Sequence, residues 1–435
     1  MLERGFYFNH DHSRFVLRSK TICGNPRISP EIDLSGLGFE DHKMKLVRFV
    51  GLAEELNNRK DPECKITCRW YGSVFQHMGY STMNRNFVRE LMSLGVGVQI
   101  ARILDFHDCS FCEIEPIMRK SRTHANKDAP VIWGQVTSAP QLLNGKSRSI
   151  HFTMSEFEGK YNNKFLSSLS NDDEVWVPTQ WDKDKLLDSG FRKPVYVFNL
   201  GVDTKTFFPK SNDLKYSSGV NSFKFVSVMS WNWRKGYDVL LKAYFKRFSS
   251  QDNVSLILFT REGLEPRSQE ALVAMTKELG DSCPHVMQCQ SVIPTFAMPY
   301  VYGNAHAFVA FPRGEGWGLP LTEAAACGLP ILSSFQGGQK TFLRKEDSFL
   351  VEPDLVVPAS KRMEAWSEIY DETSFVDYSE KVVDEAADKM RYVYDNYSKA
   401  KEIAQICRQR IVTDFDWSVS AKKVYNRLTE LIVGG

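Results

Sequence analysis

The sequence lacks the features that mark several large classes of protein. None of its apolar runs approaches the ~18 residues that a membrane-spanning helix needs. A typical run, Val254–Phe259, has the length of a strand. Residues 1–10 lack the basic start and the apolar core of a secretory signal. We therefore expect neither a membrane-spanning segment nor a secreted protein.

A surplus of charge of one sign is also missing. Lys and Arg together number 55, Asp and Glu together number 53, and the formal net charge is +2. This balance gives no electrostatic reason to expect a nucleic acid partner. The nine cysteines are odd in number and scattered along the chain, which favours reduced thiols over a disulfide framework and predicts a cytoplasmic protein.

What the sequence does contain is typical of a globular protein. Apolar residues make up 43% and charged residues 25% of its 435 positions, which excludes disordered and fibrous classes. A chain of this length suggests two or three domains, each with a sizeable core.

Two successive series of alternating strands and helices run along the chain. The first begins with a strand at 64–71, a helix at 84–94 and a strand at 96–101. The second begins with a strand at 223–229 and a helix at 237–248. Further strands are predicted at 131–133, 149–153, 174–177 and 195–198 in the first series, and at 254–259, 286–288, 307–310 and 331–332 in the second.

This alternation indicates an α/β protein with two Rossmann-like, doubly wound domains. We place the N-terminal domain at 61–210 and the second at 211–415, and we assign no role to residues 1–60. Ligands of such sheets bind beyond the carboxyl ends of the strands. We therefore expect the site in a cleft across which the two domains face each other.

The most informative segment, residues 313–330, reads RGEGWGLPLTEAAACGLP. It follows a predicted buried strand, and Pro320 is suited to the first turn of a helix. Such a helix, ending at Cys327, would direct its N-terminus at a phosphate. Three glycines let the loop before it expose backbone N–H groups: Gly314, Gly316 and Gly318.

Two carboxylates flank this turn. Glu315 lies in the loop and Glu323 in the predicted helix, with seven residues between them. Hydroxyl pairs form strong hydrogen bonds with carboxylates, so the pattern suits a ligand with two polyols, such as the ribose and the sugar of a nucleotide sugar. The alternative is a purely structural one: a Gly-rich turn that leads from a strand into a helix with an ordinary Glu near its N-terminus. The combined pattern of strand, turn, glutamates and Ala-rich helix favours the binding site.

The segment resembles the signature E-G-x-G-L-P-x-x-E-A-x-A-x-G-x-P of retaining glycosyltransferases with the GT-B fold, glycosyltransferase family 4, also called glycosyl transferases group 1. Residues 234–243 are similar to the R-K-G turn of that family, and residues 176–209 to the end of its N-terminal domain. The resemblance covers about residues 64–435. It implies the GT-B fold, with a helix at 416–435 that crosses back to complete the N-terminal domain.

The resemblance also implies roles for individual residues. Arg234 and Lys235 would hold the diphosphate and neutralise the charge on the leaving group. Glu323 would accept hydrogen bonds from the donor ribose. Glu315 would face the transferred sugar, in a donor site completed by Gly316, Trp317, Gly318 and Leu319. Met229–Ser230 stands where the family often has Gly-Arg, so Arg234 would substitute for that phosphate contact.

Other parts of the site are implied more loosely. The nucleotide base would lie near Ser291, Val292 and Ile293. The loop that closes over donor and acceptor would be residues 77–81, with Gly79 and Tyr80, although a generic strand-to-helix loop explains Gly79 nearly as well. Residues 153–156, which end in Glu156, resemble a motif found in one subgroup of the family.

We therefore expect a retaining, metal-independent glycosyltransferase of the EC 2.4 class that needs no cofactor. It would move a sugar from a nucleoside diphosphate sugar to an acceptor hydroxyl on a glycan, a lipid or a protein-linked sugar. Two alternatives stay open: a nucleotide-sugar isomerase or epimerase on the same fold, and a catalytically silent glycan- or nucleotide-sugar-binding protein. The basic residues 118–124 leave a peripheral membrane contact open.

Two weaker patterns concern metals and histidines. A zinc site has four ligands, and four cysteines could supply them: Cys64, Cys68, Cys109 and Cys112. However, positions four apart on a strand share one face and usually pack in the core, so we expect no metal. His107 and His151 fall near strand ends, where an acceptor contact and a core position are both open.

Overall fold

The computed structural model describes residues 6–8, 15–18, 20–23, 31–33, 63–74, 76, 78–101, 117, 120–122, 124–136, 147–210, 215–216, 222–261, 266–290, 293, 295–359 and 370–433. The strands are β1 (Phe6–Phe8), β2 (Phe15–Arg18), β3 (Lys20–Cys23), β4 (Glu31–Asp33), β5 (Ile66–Tyr71), β6 (Val96–Ala101), β7 (Val131–Gly134), β8 (Ser149–Phe152), β9 (Glu174–Val177), β10 (Val195–Val197), β11 (Lys215–Tyr216), β12 (Phe223–Ser230), β13 (Val254–Arg261), β14 (His285–Gln290), β15 (Ala307–Ala310), β16 (Ile331–Ser334), β17 (Phe349–Val351), β18 (Leu355–Pro358) and β19 (Ser374–Asp377). The helices are α1 (Gly79–Ser93), α2 (Asn163–Leu169), α3 (Gln180–Asp188), α4 (Tyr237–Arg247), α5 (Pro266–Leu279), α6 (Met298–Gly303), α7 (Leu319–Ala326), α8 (Glu380–Asp395), α9 (Tyr397–Asp414) and α10 (Trp417–Val433).

The chain divides into two compact units. One holds the described residues of 63–155, 159–203 and 414–433. Its sheet has six parallel strands in the order β10-β9-β8-β7-β5-β6. The helix α10 belongs to this unit and packs against α1, where the Trp417 ring meets Phe87 edge-on.

The other unit holds β1–β4, residues 156–158 and the described part of 204–413. Its main sheet has seven strands in the order β17-β16-β15-β12-β13-β14-β3, and only β3 runs antiparallel to its neighbour. Helices α4 and α8 cover one face, where Leu240, Tyr244 and Met390 are fully buried against the strands. The predicted α/β class with two doubly wound sheets is confirmed.

All the strands predicted between residues 64 and 332 are present. One predicted helix boundary is wrong, and the error concerns two predicted site residues. α1 begins at Gly79, five residues before the predicted start at Asn84. Met78 has an extended backbone and its carbonyl accepts the Thr82 N–H at 2.9 Å, which closes the first helical turn. Gly79 and Tyr80 are therefore the first residues of a helix and do not lie in a loop.

The N-terminal residues contribute strands that the sequence did not predict. β1, β2 and β4 form an antiparallel sheet with β11, and β3 pairs with the edge strand β14. Residues 44–56, whose apolar residues have helical spacing, lie outside the described residues. The expectation of reduced thiols is wrong for Cys283, which is disulfide-bonded. Five other described cysteines form no disulfide: Cys64, Cys68, Cys289, Cys327 and Cys407.

No helix among the described residues is both long enough and apolar enough to cross a membrane.

The loop after β5 and the end of β7 are tied together by one buried side chain. Asn84, on α1, accepts the Trp70 indole N–H at 3.0 Å and donates to the carbonyls of Ser73 and Gly134 at 2.9 and 2.8 Å. A Cβ on Gly134 would lie 1.9 Å from the Asn84 amide oxygen. The absence of a side chain at Gly134 therefore makes room for this amide, which fixes the loop after β5 against the end of β7.

We predict that Asn84→Ala lowers the free energy of unfolding by ~2–4 kcal/mol, because it leaves the indole N–H of Trp70 and two carbonyls without their buried partner. Chemical denaturation followed by tryptophan fluorescence measures this. Asn86→Ala is the matched control, since Asn86 on the same helix donates only to the nearby Thr82 carbonyl, and it should cost ~1 kcal/mol or less. Equal losses in the two variants would contradict this role of Asn84.

Candidate functional site

The sheet order of the second unit places three loops side by side. β12, β15 and β16 are parallel neighbours in the order β16-β15-β12. The carboxyl ends of parallel strands lie at one edge of a sheet, so the loops that follow these strands meet there. They are residues 231–236, 311–318 and 335–338. The predicted residues Arg234, Lys235 and Glu315 lie in the first two of them.

The loop after β12 is a single tight turn. Residues Trp233–Lys235 form a 3₁₀ turn, and the Asn232 side chain caps it by accepting the Lys235 N–H at 3.1 Å. Gly236 then adopts a left-handed backbone with φ of 67° and starts α4. A Cβ at Gly236 would lie 1.9 Å from the Phe311 carbonyl oxygen, so only glycine fits both the turn and the neighbouring loop.

A buried arginine fastens this turn to the loop after β15. The Arg313 guanidinium forms two hydrogen bonds with the Asp238 carboxylate at 2.7 and 2.8 Å, and one with Asp377 at 2.9 Å. It also donates to the Trp233 carbonyl and lies 4.4 Å from the centre of the Trp233 ring. Burial lowers the pKa of Arg313, but the two aspartates outweigh burial and raise it. This side chain therefore stays charged and braces the 3₁₀ turn.

Arg234 is enclosed by protein acceptors. Its guanidinium donates to the Gly314 carbonyl at 2.7 Å and forms an ion pair with Glu156 at 3.1 Å. Glu156 in turn accepts the Tyr370 hydroxyl at 3.2 Å. Burial lowers the pKa of Arg234, whereas Glu156 and Glu315 raise it, and the net shift is upward. Arg234 is therefore a permanent cation that links residues 156–158 to the Gly-rich loop.

Lys235 and Glu315 form an ion pair in the same place. The Lys235 ammonium contacts the Glu315 carboxylate directly, and both side chains are mostly buried. The Glu315 carbonyl also accepts the Gly338 N–H at 3.0 Å, from the loop after β16. A Cβ on Gly338 would lie 1.8 Å from the Gly316 carbonyl oxygen, so these two loops interlock through backbone alone.

The predicted helix is present as α7. Gly318 is its N-cap residue, with φ of 99°, and Leu319 and Pro320 follow in the first turn. The Trp317 ring packs in the core, 5.0 Å from the Phe342 ring. Trp317 can therefore offer a ligand its backbone but not its side chain.

A buried tyrosine holds the second carboxylate of the motif. Glu323, on α7, accepts a hydrogen bond from the hydroxyl of the buried Tyr302 at 2.9 Å. Tyr302 lies in α6, which precedes β15 in the chain. Burial first, and Glu323 second, raise the pKa of this hydroxyl well above its ordinary value.

The remaining predicted residues have different outcomes. Ser291 and Val292 lie outside the described residues, and Ile293 is half-buried after β14. The Tyr80 hydroxyl forms hydrogen bonds with the Thr153 hydroxyl and the Met154 N–H, both at 3.2 Å. Nothing lies within 4 Å of a Cβ placed on Gly79, so packing does not require glycine there.

His151 is a core residue. It is fully buried, and its two ring nitrogens form hydrogen bonds with Asp172 at 3.3 Å and with the Gln135 carbonyl at 2.9 Å. His107, Cys109 and Cys112 lie outside the described residues. Burial raises the pKa of the Cys68 thiol to about 12. Within the described ranges, no three His, Cys, Asp or Glu side chains are grouped as metal ligands.

Sequence reasoning missed the residues that hold the motif in place. Arg313 was assigned no role, although a charged residue directly after a buried strand is a signal that it needs buried partners. Gly337–Gly338 follows β16 in the same way that the other glycines follow β15. The partners Asp238, Asp377 and Tyr302 carry no local sequence signal, because they lie in other elements of the chain.

The comparisons with known proteins agree with this placement. Residues 221–366 match the model of the family described as Glycosyl transferases group 1. This range includes the 3₁₀ turn, the Gly-rich loop and α7. No curated protein matches the chain.

Solved structures with the same fold include three from bacteria. Sucrose-phosphate synthase from Thermosynechococcus elongatus superposes with a TM-score of 0.61 at 17% identity, over 85% of this chain and all of that one. HepE from Anabaena, in complex with UDP and glucose, has a TM-score of 0.61 at 12% identity, over 84% of this chain and all of that one. A glycosyltransferase from Rickettsia africae ESF-5 has a TM-score of 0.59 at 14% identity, over 85% and 99%.

The chain therefore has the GT-B fold and carries a glycosyl transferases group 1 domain at residues 221–366. The family match at these residues supports sugar transfer as the general chemistry. The residues matched by the family model are about a third of the chain, so the finer questions of donor, acceptor and stereochemistry depend on the site itself.

Proposed function

We propose that the protein is a retaining, metal-independent glycosyltransferase that moves a sugar from a nucleoside diphosphate sugar to an acceptor hydroxyl. One observation carries this proposal: Lys235 forms an ion pair with Glu315, which lies in the Gly-rich loop that leads into the N-terminus of α7. A cation, backbone N–H groups and a helix N-terminus together suit a diphosphate.

The roles of the two cations differ. Arg234 has two protein acceptors, whereas Lys235 is tethered to one carboxylate on a flexible four-carbon stem. In the proposed reaction Lys235 exchanges Glu315 for a phosphate oxygen and stabilises the negative charge that grows as the glycosidic bond breaks. Glu315 is then free to accept hydrogen bonds from the transferred sugar, and Arg234 keeps the loop in place.

The donor is further defined by Glu323. Its carboxylate, one helical turn beyond the Gly-rich loop, is proposed to accept the hydroxyls of the donor ribose. HepE has the same fold and was solved in complex with UDP-glucose, so UDP-sugars are the first donors to test. The acceptor is a carbohydrate or glycoconjugate, and the cytoplasmic location inferred from the cysteines stays a prediction.

Incubation with a panel of nucleoside diphosphate sugars, without acceptor, tests the proposal. We expect slow release of nucleoside diphosphate, because the activated donor leaks to water, and the same rate in EDTA. Proton NMR at early times should show that the first released sugar keeps the anomeric configuration of the donor. An inverted anomer contradicts retention, and inhibition by EDTA contradicts metal independence.

The alternatives give different results in the same assay. A changed sugar still joined to its nucleotide identifies an isomerase or epimerase. Tight binding of a donor with no turnover, even with acceptors added, identifies a binding protein.

We predict that Lys235→Ala lowers kcat/KM for donor turnover by about 10²–10³-fold, since a preorganised group that stabilises transition-state charge is lost. Lys246→Ala is the matched control. Lys246 lies in α4 and also forms ion pairs with carboxylates, but these are Glu380 and Asp384 of α8 on the exposed surface, so its loss should change kcat/KM by less than about twofold. A Lys235→Ala enzyme as active as the control rules out the assigned role.

A further inference from the structure

The hydroxyl of the buried Tyr302 donates a hydrogen bond to a carboxylate side chain rather than to the backbone. Its ring is fully buried between aromatic neighbours, with Phe207 at 6.2 Å and Phe308 at 6.1 Å between ring centres. Its hydroxyl donates to the Oε2 atom of Glu323, the carboxylate that we assign to the donor ribose. The packed ring has no room to turn, so the position of the hydroxyl is fixed by the core.

A second buried tyrosine in the same unit shows what a purely structural role involves. Tyr244 is also fully buried, and its hydroxyl donates to the backbone carbonyl of His285 at 3.0 Å. A backbone carbonyl satisfies a buried hydroxyl without involving any side chain. Tyr302 instead reaches a half-buried side chain of the candidate site.

The direction of this hydrogen bond is fixed. An ionised carboxylate has no proton to give, so the hydroxyl must donate. Burial, followed by the charge of Glu323, raises the pKa of Tyr302 well above its ordinary value, which keeps the hydroxyl proton in place at neutral pH. Of the lone-pair positions on the two carboxylate oxygens, Tyr302 occupies one at Oε2.

We propose that Tyr302 is a positioning residue: its hydroxyl holds the Glu323 carboxylate in the orientation that accepts the 2′- and 3′-hydroxyls of the nucleoside diphosphate. A glutamate side chain on a helix has several rotamers, and a ligand that must immobilise it loses affinity. With Tyr302 in place that ordering is complete before the donor binds. This inference rests on the proposed function, which assigns Glu323 to the ribose.

The test compares two ligands that differ only at the ribose. The nucleoside diphosphate that binds best among UDP, GDP and ADP is titrated calorimetrically, and so is its 2′,3′-dideoxy counterpart. The dissociation constant of the dideoxy ligand divided by that of the natural ligand gives a diol ratio. In the wild-type protein we expect this ratio to be at least on the order of tenfold, the worth of a hydrogen bond to a charged group.

In Tyr302→Phe the diol ratio should fall by roughly tenfold, because the natural ligand binds more weakly while the dideoxy ligand binds as before. Tyr244→Phe removes an equally buried hydroxyl away from the site, and it should leave the ratio unchanged. In a Glu323→Gln background, Tyr302→Phe should weaken binding of the natural ligand no further, since the two residues act as one unit.

Two results overturn the inference alone: a diol ratio that Tyr302→Phe leaves unchanged, as when both ligands weaken equally, and additive effects in the double variant. Failure of Tyr302→Phe to fold overturns it as well, because the hydroxyl would then serve the core. A wild-type ratio near one, or no binding of any of the three nucleoside diphosphates, instead overturns the proposed role of Glu323, and the inference falls with it.

Discussion

The buried guanidinium of Arg313 is the interaction on which the candidate site depends. A charged group in the interior is tolerated only when it is paired with opposite charge and hydrogen-bonded. Arg313 meets this requirement by drawing together the start of α4, the end of β19 and the carbonyl of Trp233. The turn that carries Arg234 and Lys235 is thereby fixed against the Gly-rich loop.

Around this brace the charges of the site are already paired. Arg234 faces Glu156 and Lys235 faces Glu315, so the cluster is close to neutral without a ligand. A neutral cluster avoids the repulsion that two adjacent free cations would add to the folded state. It also means that a phosphate must compete with a carboxylate for Lys235, so weak anions gain little by binding there.

The sequence predicted the parts of the site that are local in the chain. Three glycines and two glutamates could be assigned to a loop and a helix because strand, loop and helix follow one another within a short segment, whereas the Arg-Lys pair was assigned through the family resemblance. The braces could not be predicted, since Arg313 meets Asp377 and Glu323 meets Tyr302 only through the fold. The early start of α1 was missed for another reason: Gly79 signals a loop, yet the extended Met78 is a sufficient N-cap. The N-terminal strands are short, with Gly and Pro between β3 and β4, and two of them have partners far along the chain: β4 pairs with β11 and β3 with β14.

The pairing of β3 with β14 has a consequence for the order of events during synthesis. β3 ends at Cys23, and its partner begins at His285. At ~5–20 residues per second, the N-terminal strand waits on the order of 10–50 s on the ribosome before the edge that it covers exists. In that interval the first unit to complete its parallel strands is the one that contains β5–β10, while the earliest residues remain without their final neighbour. β3 is thus made early and placed late, and once it has paired it replaces β14 as the edge strand of the sheet.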